Sequence, residues 1–223
     1  MQSLLRLLQI SDTAFPTGSF SHSMALEAFV EAGDLRDAND LGRLIALHLS
    51  AQATSDCVAL RAAFGTELED LIRIDQLLSA TKLTRGLRAA SSSTGRRFLL
   101  SVAALGVKDN VLRAFTDAVR DRATPGNLAV GYGVAAPALG FTLEETLHAY
   151  LYATVASLVA AGQKSIPLGG SAARRALYES AEEILDAVDI SKTLEVEDMY
   201  AFSPTIDLRS MQHERQRTRL YIS

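Results

Sequence analysis

Asn127-Leu128-Ala129-Val130-Gly131-Tyr132-Gly133-Val134-Ala135-Ala136-Pro137-Ala138-Leu139-Gly140 is almost wholly small or apolar. At this density Gly and Ala remove side-chain bulk and let neighbouring helices come close. The stretch reads as a tightly packed buried helix or as the lining of a close subunit contact, and the residues alone fit both. Thr124-Pro125-Gly126 breaks the chain just before it, and Pro125 suits the first position of a helix. Phe141-Thr142-Leu143-Glu144-Glu145 then reads as a fresh start. Thr142 is the N-cap and Glu145 stands three residues on, the pattern of a capping box. That helix is expected to run to about Gly162.

Working outward, the rest of the chain carries the same helical signature. Ala and Leu dominate, aromatics are 6%, and no β-branched run alternates with polar residues over strand length. A helix carrying Met24, Leu26, Phe29 and Val30 closes at Gly33-Asp34. Asp37 to Phe64 reads as one long helix, with Leu41, Leu44, Ile45, His48, Ala51, Ser55, Val58 and Ala62 mostly at three-and-four spacing. Glu67 to Ala80 forms another. The stretch from Lys82 to Leu105 has a small-residue interior, Ala89 to Gly95, between Arg88 and Arg96-Arg97. Pro167-Leu168-Gly169-Gly170 is a loop, and a helix from Ser171 ends near Val188. From Ile190 the chain turns polar and irregular. The expectation is one compact all-α domain over 1–223, with 203–223 an irregular basic arm. Met211, Leu220, Tyr221 and Ile222 are interspersed with that arm's charges, which suits a segment that orders on docking.

With 223 residues and 48% hydrophobic content, the chain can bury a substantial core. A net charge of −4 argues against nucleic acid as a main partner, since neutralising phosphates needs a basic surface. No apolar run reaches the roughly 20 residues of a membrane-spanning helix. Met1-Gln2-Ser3-Leu4-Leu5-Arg6 has no basic start leading to a cleavage site. A single cysteine, Cys57, excludes an internal disulfide and fits a reducing compartment. A cytoplasmic protein is expected.

Signatures of catalysis are missing. There is no G-x-x-x-x-G-K-[ST] and no G-x-S-x-G, and Cys57 on an apolar stripe reads as a packed thiol. Glu145 and His148 form one E-x-x-H on a helix face. A di-iron bundle needs two such pairs and two further carboxylates. His22, His48, His148 and His213 are scattered, without metal-ligand spacing. His48 and His148 read as interhelical hydrogen-bonders, whereas His22 and His213 fall in a loop and in the arm, where contact with a partner is expected.

The opening string, Leu7-Leu8-Gln9-Ile10-Ser11-Asp12-Thr13-Ala14-Phe15-Pro16-Thr17-Gly18-Ser19-Phe20-Ser21-His22-Ser23-Met24-Ala25-Leu26-Glu27, is the other informative stretch. Phe15 and Phe20 bracket a Pro-x-Gly turn, which suggests a loop buried or docked against something. This string resembles the start of the urease accessory proteins of the UreF type. Three further stretches are similar to that family, in order along the chain: Arg88-Ala89-Ala90-Ser91 leading to Gly95-Arg96-Arg97; Gly131 to Gly140 with Lys164-Ser165-Ile166-Pro167-Leu168-Gly169; and the terminus Ser210 to Ser223. The chain departs from the family pattern at Asn127, where His is usual, at Gly170, where Gln is usual, and at Arg217, where an aromatic is common.

The resemblance implies an all-α homodimer that does no catalysis of its own. It implies a scaffold that binds a UreD- or UreH-type accessory protein through its C-terminal region and recruits the UreG-type GTPase. The assembly delivers nickel to apo-urease, and nickel is handled transiently with no cofactor held tightly. Phe15, Pro16, Gly18, Phe20, Ser21, His22, Lys164, Met211, His213, Glu214, Gln216, Arg219, Leu220 and Ser223 are the expected partner-binding residues. Two other readings stand beside this one: modulation of the GTPase by Lys164 or Arg96, and a helical metal-binding protein built on Glu145 and His148.

Overall fold

The structure, a computed structural model, describes residues 2–19, 22, 24–215 and 221. All regular structure among them is helical, as the composition predicts. In chain order the helices are α1 (Gln2–Ser11), α2 (Leu26–Glu31), α3 (Ala38–Ala53), α4 (Asp56–Ala63), α5 (Leu68–Thr81), α6 (Arg85–Ala104), α7 (Asn110–Arg120), α8 (Leu128–Leu139), α9 (Leu143–Ser165), α10 (Gly170–Glu179), α11 (Ala181–Ser191) and α12 (Pro204–His213).

The small-residue stretch is the centre of the molecule. Helix α8 is buried from Ala129 through Ala136 and lies between α4 and α6, with α9 alongside. Its glycines set those distances. A β-carbon on Gly133 would stand 2.6 Å from the Leu60 carbonyl oxygen and 2.8 Å from the Ala63 β-carbon. Close packing within one chain therefore accounts for the stretch. Helix α9 starts as expected: the Glu145 amide donates to Thr142 Oγ1 at 3.2 Å, and the Thr142 amide donates to Glu145 Oε2 at 2.9 Å.

The entry to α8 differs from the sequence expectation. The helix begins at Leu128 with Asn127 as its cap, so Pro125 lies in the preceding turn and not at the first helical position. That turn is held by Asp75, whose carboxylate accepts from Thr124 Oγ1 (2.6 Å), the Gly126 amide (2.6 Å), the Asn127 amide (2.7 Å) and Asn127 Nδ2 (2.8 Å). Asn127 is wholly buried and also donates to Ser79 Oγ at 2.9 Å. Its departure from the family's usual His thus falls at an internal clamp.

The structure differs from the sequence expectation at three further places. The long helix expected over Asp37–Phe64 is two, broken at Thr54 and Ser55. Ser55 Oγ donates back to the Ala51 carbonyl at 2.6 Å, and Thr54 bonds Tyr200 twice (Tyr200 amide to Thr54 carbonyl, 3.0 Å; Thr54 Oγ1 to Tyr200 carbonyl, 2.7 Å). Hydroxyls that bond nearby carbonyls compete with the helix ladder. The helix expected from Ser171 to Val188 is likewise two, divided at Ser180. The arm expected to be irregular contains α12, with Pro204 in its first turn.

Candidate functional site

Helix α6 receives the opening loop. Phe15 is buried and meets Phe98 edge-on at 5.9 Å; Phe98 stacks on Tyr132 at 4.3 Å, and Tyr132 meets Tyr150 at 5.4 Å. This aromatic ladder ties the loop through α6 and α8 to α9, and Tyr132 also donates to the Ile10 carbonyl at the end of α1 (3.0 Å). Ser101 Oγ donates to the Pro16 carbonyl at 3.2 Å, while the Pro16 ring is exposed. Gly18 has φ +72°, a left-handed conformation that favours glycine, and the Arg97 guanidinium lies against it. His22 Nε2 is hydrogen-bonded to Ser93 Oγ at 3.0 Å. Burial lowers the His22 pKa below the usual imidazole range, and Arg97 nearby lowers it further. Two of the stretches quoted separately from the sequence are therefore one assembly.

The terminus joins the same assembly from the other side. Glu27, the last residue of the opening string, accepts from His213 (Nε2 to Oε2, 3.0 Å) and from the Tyr221 amide (3.2 Å). Thr84 Oγ1 and Ser210 Oγ share a hydrogen bond of 2.8 Å, and the Gly86 amide donates to Glu214 Oε1 at 2.8 Å. Arg209 pairs with Asp34 and lies over the Phe29 ring at 5.9 Å. Burial raises the Tyr221 phenol above its ordinary pKa, and the neighbouring Ser165 hydroxyl draws it back. Ser165 follows Lys164, so the last turn of α9 lies near Tyr221.

The expected partner-binding residues divide into two kinds. Phe15, Gly18, His22 and His213 are buried and contact this chain itself; His213 retains 2% of its surface. Pro16, Lys164, Glu214 and Met211 reach solvent, Lys164 in the last turn of α9 and Met211 at 45% exposure. Phe20, Ser21, Gln216, Arg219, Leu220 and Ser223 lie outside the described residues, as does Arg217. Sequence reasoning did not single out Leu208 (61% exposed), one turn before Met211 on the outer face of α12, or Phe202 (73% exposed) just ahead of that helix. The signal was available, since Leu208 and Met211 stand three apart while Ile206, Ser210 and His213 face inward.

The other two constellations take structural positions. Glu145 is exposed, and its carboxylate caps α9. His148 is half-buried, and no group of three His, Cys, Asp or Glu side chains suited to a metal occurs among the described residues. Cys57 is the second residue of α4 and fully buried, and that burial pushes its thiol pKa up. No helix is long and apolar enough to cross a membrane among the described residues.

Comparison with known proteins gives a consistent result. A family model described as UreF matches residues 35–181. The chain is 37% identical to the urease accessory protein UreF of Paenarthrobacter aurescens over 98% of this chain and 97% of the relative. It is 31% identical to the urease accessory protein UreF of Corynebacterium efficiens, covering 100% of this chain and 98% of that one. The protein of the same description from Bacillus sp. (strain TB-90) is 28% identical with both chains covered in full.

Proposed function

Because this chain belongs to the UreF family of urease accessory proteins, we propose that it acts in urease maturation as a non-catalytic scaffold. It holds a UreD- or UreH-type accessory protein and the UreG-type GTPase on apo-urease, working as a cytoplasmic homodimer. Nickel is the cargo of that assembly and passes through it transiently. The observation that carries the reading is the junction at Glu27, which fixes the C-terminal segment to the opening string. A rigid helical body thereby presents α12 with its polar edge docked inward and Leu208 and Met211 outward.

Cutting the chain before Ser210 would remove buried internal contacts along with any docking surface, so surface variants give the cleaner test. Leu208→Asp with Met211→Asp places two charges on the outer face and leaves the inner one intact. Recovery of the UreD-type partner in co-purification is expected to fall at least tenfold, with helicity and thermal midpoint nearly unchanged. Undiminished recovery would remove the arm from the docking role.

Lys164 supports a second contact. It is exposed in the last turn of α9, where a cation also complements the C-terminal end of that helix. Lys164→Ala is expected to change GTP turnover of the UreG-type partner in the assembled complex several-fold without altering complex recovery. An unaltered turnover rate would leave Lys164 as a solvated helix-end residue.

A further inference from the structure

Charge is divided unevenly along this chain. Residues 82–126 carry nine Lys and Arg against three Asp, a surplus of six positive charges, although the chain as a whole is −4. The remainder therefore has an excess of ten negative charges. Within 82–126, Lys82 is paired with Asp56, and Arg120 with Asp117 and Asp121. On α6 the arginines Arg85, Arg88, Arg96 and Arg97 are all exposed and form no ion pair among the described residues. Arg85, Arg88 and Arg96 stand on one face of that helix, three and then eight residues apart, and Leu100 and Ala103 continue the face at steps of four and three. The exposed stripe thus passes from cations to apolar side chains along a helix of about 30 Å, with Leu100 58% exposed.

Two features separate this stripe from an ordinary solvated face. The first is that neutral oxygens hold the guanidinium groups in place. Arg88 Nη1 donates to the Lys82 and Leu83 carbonyls at 2.6 and 2.9 Å. Arg96 donates from Nε to the Ser92 carbonyl (3.1 Å) and from Nη2 to Ser92 Oγ (3.2 Å). These charges are oriented without being neutralised, so an incoming carboxylate meets side chains that have already lost much of their rotamer freedom. The second is that α6 opens with Arg85 and has no acidic residue in its first turn, the reverse of what the helix dipole favours. Glu214 of the arm brings a carboxylate to the Gly86 amide, yet Arg85 and Arg88 remain exposed.

We propose that the outer face of α6 is a docking surface for an acidic helix of a partner protein, with carboxylates at three-and-four spacing followed by apolar residues. The carboxylates pair with Arg85, Arg88 and Arg96, and the apolar residues meet Leu100 and Ala103. A nucleic-acid backbone would satisfy the arginines and leave Leu100 uncovered, and the negative excess of the remaining chain repels a long polyanion. An anionic membrane is a poor match too, because cations and leucine follow one another along the stripe and do not lie at different depths. This surface is separate from Leu208 and Met211 on α12 and does not rest on the reading of the arm.

The test is fluorescence anisotropy of a labelled synthetic helix of about 20 residues, the length of α6, titrated with the full chain. The probe carries Glu at three-and-four spacing in its first half and Leu in its second. Saturable binding is expected, weakening several-fold as salt rises from about 50 to about 200 mM. Arg85→Glu with Arg96→Glu should weaken it at least tenfold, and Leu100→Asp several-fold. Arg174→Glu with Arg175→Glu, at exposed positions of α10, alters the net charge equally and should leave binding within twofold. Arg85→Gln with Arg96→Gln serves as the variant if the charge reversal fails to fold. Absence of saturation, an equal loss from the α10 pair, or tighter binding to a short DNA duplex or to phosphatidylserine vesicles would overturn the proposal.

Discussion

Gly95→Ala is expected to destabilise the fold by about 3 kcal/mol or more, although it adds one methyl group to a helix and alanine is the better helix former. Gly95 lies in α6 where that helix crosses the entry to α8. A β-carbon there would stand 2.6 Å from both the Asn127 carbonyl carbon and the Leu128 amide nitrogen, and closer still to the Gly126 carbonyl oxygen. All three atoms are backbone, so no side chain can rotate away. The Asp75 carboxylate pins the same turn from its other side. Relief therefore means moving α6 off α8, which opens the Phe98–Tyr132 stack and with it the seat of Phe15. For a chain of this size that loss corresponds to a fall in thermal midpoint of roughly 6–12 °C. Gly42→Ala is the control. Gly42 sits inside α3, where a β-carbon would have no neighbour within 4 Å, and the same substitution there should stabilise by about 0.5–1 kcal/mol. Equal effects at the two positions would mean that helix propensity, not helix approach, governs the glycines.

How far the sequence discloses this protein depends on whether a signal is local. The small-residue run of α8 and the Thr142–Glu145 box are written in adjacent residues, and both appear where they were expected. The break at Thr54–Ser55 is invisible to periodicity, because Ala51, Ser55, Val58 and Ala62 carry the three-and-four spacing straight across it. Its cause is a pair of hydrogen bonds to Tyr200, far along the chain. Helix α12 is hidden for the same reason. Its sequence is polar, and its inner face is fixed by Thr84 and Glu27 through side-chain bonds across the fold. The candidate site follows the same rule. Each motif is legible by itself, yet the pairings Phe15–Phe98, His22–Ser93 and Glu27–His213 exist only in three dimensions. Hence His213, expected from the sequence to meet a partner, is hydrogen-bonded to Glu27 of its own chain.

Lys82→Met is expected to cost about 3–5 kcal/mol, the range for stripping one member from a buried ion pair. Lys82 Nζ stands 2.6 Å from Asp56 Oδ2, with side chains 12% and 5% exposed, so little solvent screens the contact. The Asp56 carboxylate also accepts from Tyr150 Oη (3.1 Å), which places it where α4 begins and α9 passes. Methionine fills much of the lysine volume, so the expected loss comes from the uncompensated charge and not from a cavity. The second substitution separates those causes. Asp56→Asn in the Lys82→Met background removes the stranded charge while keeping an oxygen for Tyr150. Most of the lost stability should return, and a double-mutant cycle should give a coupling of about 2–3 kcal/mol. Denaturant melts of the four proteins decide it: additive losses would show that Lys82 packs rather than neutralises. If the coupling holds, the pair fixes the α5–α6 connection against α4 and α9. That connection leads straight into Thr84 and Gly86, the residues that receive Ser210 and Glu214 of the arm. Lys82→Met should then loosen the C-terminal segment too, read as faster hydrogen exchange in α12 than in α8, whereas uniform exchange across both helices would confine the pair to global stability.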